Sequence, residues 1–414
     1  MFLLATSVGA IFTLNALRPA KRWWPLVGPG FFASWLTGEL APHHLFWQLI
    51  ATGLFVWAGA LQGWVGYAAL GLVALSWVGL ARLIVESART KQVMISALRE
   101  GLGVHFKDKI SGDLRLELRD RWGVRQRLLP LPVWDSRVEV IRNIIYREVD
   151  GVRLRLDIYR PRAKKGPFPT VLHVHGGAWM VGSKDDQGKP LAYRLAAHGW
   201  LVVSANYRLS PRFAWPAHII DVKAAVAWIK TRGIEYGVDP SFVAITGGSA
   251  GGHLSALAAL TPNDPEWQPG FESADTTLHA CVPFYGVYDF CDRKGIWKGT
   301  LLRRMLERGI VKKRRAEAPD VFNKASPMSR IGQHAPPFFV IHGTRDSLVP
   351  VAEARLFVEL MRQTSKQPVL YAELPGAQHA FEVFPSRRTE HALVGVETFL
   401  TWALSARVRA CSKV

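Results

Sequence analysis

From residue 40 to residue 81 the chain carries no Asp, Glu, Lys or Arg. In and just past this window, residues 45–61 and 64–85 form apolar runs of 17 and 22 residues that meet at Gln62-Gly63. At the rise of an α-helix the longer run reaches roughly 33 Å, enough to cross a hydrocarbon core of roughly 30 Å; the shorter one is at the limit. The pattern predicts a helical transmembrane hairpin in preference to a buried helix pair of a soluble protein. Trp47, Trp57, Trp64, Tyr67 and Trp77 supply aromatic residues of the kind that anchor at membrane interfaces. Residues 1–17 are apolar as well but lack the positive start and small-residue cleavage site of a secretory signal, which leaves a third span or an interfacial helix.

Beyond residue 134 the pattern changes. Residues 138–146 and 152–159 alternate around Asp150-Gly151, a strong hairpin signal. Short apolar, β-branched runs follow at 170–174, 201–205, 242–246, 280–284, 338–341 and 369–374, with helical stretches between them, the clearest at 217–232, 351–364 and 389–406. Strands that are apolar on both faces and alternate with helices predict a mostly parallel sheet covered by helices on both sides. Three regions result: a membrane-anchoring region over 1–90, a charged connector over 91–134 stiffened by Pro130 and Pro132, and an α/β domain over 135–414. On this division a chain beginning near Pro132 is expected to be soluble and active.

Charge adds an orientation. Arg18, Lys21 and Arg22 precede the hairpin and Arg82, Arg89 and Lys91 follow it, while its tip has no charge. By the positive-inside rule both flanks, and the α/β domain with them, are cytoplasmic. The net charge of +19 fits an anionic leaflet, since no nucleic-acid-binding module is present to favour that partner. The densest basic cluster, residues 293–315, has ten Lys or Arg against one acid, Glu307. Leu301, Leu302, Met305, Leu306 and Ile310 recur within it at helical spacing, which reads either as a membrane-facing amphipathic helix or as a solvated helix over the sheet. Cys281, Cys291 and Cys411 form no paired framework and fit a reducing compartment.

The chemistry centres on residues 242–253, Phe-Val-Ala-Ile-Thr-Gly-Gly-Ser-Ala-Gly-Gly-His. A strand, Gly-x-Ser-x-Gly and an Ala/Leu-rich helix make the nucleophile-elbow pattern, which pushes Ser249 out above the sheet at a helix N-terminus. Three further segments lie just past strands: His175-Gly176-Gly177-Ala178-Trp179, then Asp346 in residues 342–346, then His379 in residues 375–379. The order Ser249, Asp346, His379, with a His-Gly-Gly loop upstream, is that of a serine hydrolase on an α/β sheet. On these motifs, residues 135–405 resemble the α/β-hydrolase carboxylesterases related to hormone-sensitive lipase, and in particular esterases with an HGGAW loop; Tyr207 to Pro211, Pro216, Ala217 and Asp221 extend the likeness. The hormone-sensitive-lipase pattern has a third glycine where Ala178 stands and an Asp where Gly248 stands.

His379 is then the base that takes the Ser249 proton, and Asp346 holds and stabilises the imidazole. Backbone N–H groups of Gly176, Gly177, Ala178 and Ala250 are the candidate oxyanion donors, and the resemblance points to Gly177 and Ala178 among the loop donors. Asp289 is an alternative acid, Trp179 and Tyr207 are candidate pocket residues, and His175, His342 and His391 read as structural. No ligand spacing for a metal and no phosphate-loop or dinucleotide pattern is present, so no cofactor is expected. The expected activity is hydrolysis of uncharged, partly apolar carboxylic esters in lipid metabolism. A thioesterase, an amidase or a methylesterase acting on prenylated cysteine would use the same machinery, and a non-catalytic scaffold would have no need of it.

Overall fold

The computed structural model describes residues 1–20, 24–111, 129, 134–297 and 300–412. Lys21, Arg22 and Pro130 to Pro132, used above for orientation and linker stiffness, lie outside the described residues, as does Lys298 of the basic cluster.

Strands β1 (Val138–Val149) and β2 (Val152–Pro161) are the hairpin signalled by Asp150-Gly151. Both turn residues have positive φ, 48° and 69°, as the tight turn between twisted strands requires. Then come β3 (Phe168–Val174), β4 (Leu201–Ala205), β5 (Val238–Gly248), β6 (Ala280–Phe284), β7 (Phe338–Gly343) and β8 (Val369–Leu374). They form one eight-stranded sheet in the order β1-β2-β4-β3-β5-β6-β7-β8. The β1–β2 and β2–β4 pairs are antiparallel and the rest are parallel, an α/β-hydrolase-like sheet. Successive strand residues face opposite ways, so two cores form. Leu172, Val203, Ile245 and Val340 meet helices α6 (Ala217–Thr231), α7 (Ala250–Leu260) and α8 (Val351–Thr364). Val171, Val202, Phe242 and Phe339 meet α5 (Lys189–Ala197) and α9 (Arg387–Cys411) on the other side.

The N-terminal region is helical: α1 (Phe2–Leu17), α2 (Trp24–Glu39), α3 (Ala41–Trp57) and α4 (Trp64–Leu102). Among the described residues only α4 is long and apolar enough to cross a membrane. The shorter expected span is α3, which begins at Ala41 and stops at Trp57, before the turn. Helix α4 passes the expected end at residue 85 and carries on through the first part of the expected connector. Its first half buries a stripe of mainly small residues, Gly66, Ala69, Val73, Ser76 and Gly79, and exposes Val65, Tyr67, Leu75 and Val78. Against that stripe Thr13 of α1 shares a buried 2.8 Å hydrogen bond with Ser76. Its second half contributes Met94, Ala97, Leu98 and Leu102 to the α5/α9 core, together with Phe31 of α2.

The basic cluster takes the second of its two readings, a helix laid over the sheet. Leu306 and Ile310 are fully buried, Leu302 and Met305 pack on the same core, and Trp215 N–H donates to Ile310 O at 2.9 Å. The apolar stripe therefore faces the protein and is not offered to a bilayer. Arg303 and Arg314 on the outside pair with Glu307 and Glu317 at 3.1 and 2.9 Å.

Candidate active site

Ser249 stands at the end of β5 as the residue capping α7, half-buried, with φ 58° and ψ −119°. That strained backbone is held from the side, since Ser249 N–H donates to Phe284 O of β6 at 3.0 Å. The two flanking glycines are required by contact. A Cβ on Gly247 would lie 2.3 Å from Val174 O, and one on Gly251 would lie 2.0 Å from the same oxygen. Gly248 is explained by a residue the sequence reading did not include. Its Cβ would lie 2.5 Å from the hydroxyl of Tyr285, which fills the space in which the related pattern keeps an Asp.

Tyr285 leads from the elbow to His379. Its ring packs on the His379 imidazole at 4.4 Å between centroids, and its hydroxyl donates to buried Glu382. Burial pushes the Glu382 carboxyl up to about 7, partly opposed by that hydrogen bond. A glycine directly before the nucleophile was the available signal, because it implies a neighbouring side chain in the vacated space. Glu382 left none.

His379 Nδ1 is bonded to Asp346 Oδ2 at 2.7 Å. The other carboxylate oxygen accepts from Leu348 and Val349 N–H at 2.9 and 2.8 Å, and His342 Nε2 lies 3.2 Å from Oδ2. Burial alone would raise the Asp346 pKa; His379, with help from His342, outweighs it and holds the carboxyl well below the usual carboxylate range. The rival acid Asp289 is engaged elsewhere, accepting from Cys291 and Arg293 N–H at 3.1 and 2.7 Å and pairing with the Arg293 side chain at 2.9 Å.

The His-Gly-Gly loop follows β3 and narrows the oxyanion candidates. Gly176 lies against the elbow, with a Cβ position 3.3 Å from Ser249 Cβ, but its N–H donates to Gln187 Oε1 at 2.8 Å and is taken. The Gly176 expectation is corrected for that reason. Gly177 has φ 110° and Ala178 φ 54°, and Met180 and Val181 N–H both donate back to Gly177 O at 3.0 Å. Among the described residues no protein acceptor takes the N–H of Gly177, Ala178 or Ala250.

Trp179 and Tyr207 are corrected too. Trp179 is buried in the core, donating to His253 Nδ1 at 3.2 Å and packing edge-on against Phe290. His253 Nε2 in turn donates to Ala325 O at 2.8 Å, so burial, which lowers its pKa to about 3, keeps it neutral. Tyr207 donates to His175 O at 3.1 Å and stacks on the His175 ring at 4.3 Å. Both aromatics brace the loop from beneath; Tyr207 also lines a cavity with Asn206, Arg208 and Phe213, whose walls do not include Ser249.

The loops that carry Asp346 and His379 are gripped by the N-terminal helices. Arg345, next to Asp346, forms a two-pronged pair with Glu86 of α4 at 2.6 and 3.0 Å. Helix α2 holds the other loop: Trp35 Nε1 donates to Ala380 O at 2.8 Å, and Gln378 Nε2 donates to Ser34 Oγ at 2.6 Å. Glu39 accepts from Arg388 Nε at 2.9 Å and from Ser386 Oγ at 2.7 Å.

Residues 156–361 match the family model BD-FAE. Among curated proteins the chain is 43% identical to "Probable carboxylic ester hydrolase LipM" of Mycobacterium tuberculosis, covering 96% of this chain and 92% of that protein. It is 38% identical to "Esterase LipQ" of the same organism, over 90% of this chain and 84% of the relative. Among solved structures it resembles the thermophilic esterase Est2 of Thermogutta terrifontis, with a TM-score of 0.50 and 28% identity over 59% of this chain and 84% of that one.

Proposed function

The chain belongs to the family of carboxylic ester hydrolases that includes LipM and LipQ, and from that premise we propose that it is a membrane-anchored serine esterase for apolar esters, working through Ser249, His379 and Asp346. The observation that carries the triad is the His379–Asp346 bond at 2.7 Å, with Tyr285 packed on the His379 ring at one end and against Gly248 of the serine elbow at the other. Asp346 occupies Nδ1, which leaves Nε2 to take the Ser249 proton. Ser249 Oγ attacks the ester carbonyl, and the negative charge that forms on the carbonyl oxygen is met by N–H groups of Gly177, Ala178 and Ala250. The alcohol leaves with the proton from His379, and water repeats the sequence on the acyl-enzyme to free the acid.

The acid is tested by paired substitutions. Asp346→Asn is expected to lower kcat on a p-nitrophenyl ester by about 10³–10⁴, because the amide no longer accepts the Nδ1 proton or balances the imidazolium. Asp289→Asn is expected to stay within a few-fold of wild type, as is its rate of labelling by a fluorophosphonate. Damage from Asp289→Asn with a silent Asp346→Asn would reassign the acid.

The membrane reading is supported by α1 and the first half of α4, where the buried positions are mainly small or hydroxyl-bearing and large apolar residues such as Leu4, Ile11, Leu75 and Val78 are exposed. On this reading α3 and the first half of α4 form the hairpin, and the flanking Arg18, Arg82 and Arg89 place the catalytic domain at the cytoplasmic, anionic leaflet. The protein is expected to stay with the membrane pellet after alkaline carbonate washing. Protease is expected to degrade its catalytic domain in inside-out vesicles but not in right-side-out ones; the opposite pattern would overturn the orientation.

A further inference from the structure

Helix α2 does more than grip the His379 loop. Four aromatic side chains from α2 and from the loop make one continuous cluster, in which Phe31 and Phe384 are buried. Phe31 and Phe32 lie 5.0 Å apart, Phe31 stacks on Trp35 at 5.7 Å and 11°, and Trp35 meets Phe384 at 4.6 Å. At one end Phe31 points its ring edge-on to the His379 imidazole at 6.2 Å and 73°. At the other end Phe32 is 58% exposed, beside Leu36 at 39%. Apolar rings this close to the base, with one left uncovered, need an occupant, and the reaction supplies one.

We propose that this aromatic ledge binds the hydrocarbon group on the alcohol side of the ester. The proposal rests on the reading of Ser249, His379 and Asp346 as the triad and adds a substrate side to it. The choice of the alcohol side follows from proton transfer. During acylation the bond from Ser249 Oγ to the carbonyl carbon forms and the bond from that carbon to the alcohol oxygen breaks. The departing oxygen takes its electron pair and the proton that His379 received from Ser249. That oxygen must therefore lie against the imidazole, and the chain it bears continues among the groups that pack around the imidazole. Tyr285 closes one face of the ring and is buried with its hydroxyl committed to Glu382. Phe31 is the apolar neighbour that leads outward, through Phe32, to the surface. The ledge is firmly built, because Trp35 is bonded to Ala380 O and Ser34 to Gln378, on either side of His379 in sequence.

The test uses the full chain in non-ionic micelles and two ester series. One holds the acyl group at acetate and lengthens the linear alcohol from ethyl to decyl. The other holds the alcohol at ethanol, too short to reach Phe32, and lengthens the acyl chain from acetate to decanoate. In the wild type kcat/KM is expected to rise along the alcohol series, by up to about fourfold per methylene that the ledge covers. Phe32 is exposed, so Phe32→Ala leaves the fold in place. It is expected to lower kcat/KM about tenfold on octyl acetate, with ethyl acetate and the whole acyl series unchanged. Phe32→Leu is expected to restore most of the loss. An unchanged alcohol series in Phe32→Ala, or a loss confined to the acyl series or spread equally over both, overturns the proposal. The triad reading fails by a different sign: ethyl acetate hydrolysis surviving in Ser249→Ala would remove it, and the ledge assignment with it.

Discussion

Ser249→Ala is expected to lower ester hydrolysis by about 10⁴–10⁶ in kcat and to leave the melting temperature within a few degrees of wild type. On the proposed mechanism the loss is large because the hydroxyl is the only protein group that forms a bond to substrate carbon, and without it there is no acyl-enzyme for His379 and Asp346 to make or hydrolyse. The fold is spared for a local reason. The elbow conformation is fixed by Ser249 N–H donating to Phe284 O and by His253 N–H donating to Ser249 O at 2.9 Å, and alanine keeps both backbone groups. Alanine at φ 58° carries the same Cβ as serine, so no new steric strain is added. A stopped assay with a p-nitrophenyl ester gives the rate, and a fluorophosphonate gives a second reading that does not depend on turnover. A mutant that still turns over within tenfold of wild type, or is still labelled, would show that another residue is the nucleophile.

Parallel strands were legible in the chain because both of their faces are buried, which makes each a short run of apolar residues with little competing pattern. Residues 201–205, 280–284 and 369–374 are strands at those same limits. The positions of Ser249, Asp346 and His379 were legible for the same reason, each lying just past such a run. Contacts made by side chains far apart in sequence were not. Glu39 and Arg388 are 349 residues apart, and nothing in the local pattern of either announces the other. Helix α2 itself is hard to read, since its sequence carries Pro29 and the two glycines beside it in a stretch that looks like a break between apolar runs. Trp179 was misread because an aromatic residue next to a His-Gly-Gly loop has two uses, lining a pocket or bracing the loop from the core. Only the direction of the ring separates them. The stripe from Leu302 to Ile310 has the same ambiguity: helical spacing shows that a face is apolar but not whether protein or lipid covers it.

A chain that begins at residue 134 is expected to be insoluble or unfolded, and inactive, even though it holds every strand of the sheet together with Ser249, Asp346 and His379. Cutting there removes part of the core. Met94, Leu98, Leu102, Phe106 and Ile110 are all buried in the cluster beneath α9 and β8. Met94 is seated in the hollow left by Gly395, and Gly101 lies directly on Leu370. At about 1.5–3 kcal/mol for each large apolar side chain, the five together match the 5–15 kcal/mol by which a domain is stable at all. The cut also strands charges. Arg388 is fully buried and would lose Glu39, and an unpaired buried charge costs about 3–5 kcal/mol. Arg345 would lose Glu86 beside Asp346, and the His379 loop would lose Trp35 and Ser34. A second chain beginning near residue 86 separates stability from catalysis. It keeps Glu86 and the second half of α4 but not α2, so it is expected to recover a cooperative melt while turning over short esters at least tenfold more slowly than the full chain. Circular dichroism, gel filtration and initial rates on p-nitrophenyl acetate read both chains. Full activity from a soluble monomer beginning at residue 134 would mean that the N-terminal helices only rest on the catalytic domain, and that an independent domain does begin where the charged connector ends.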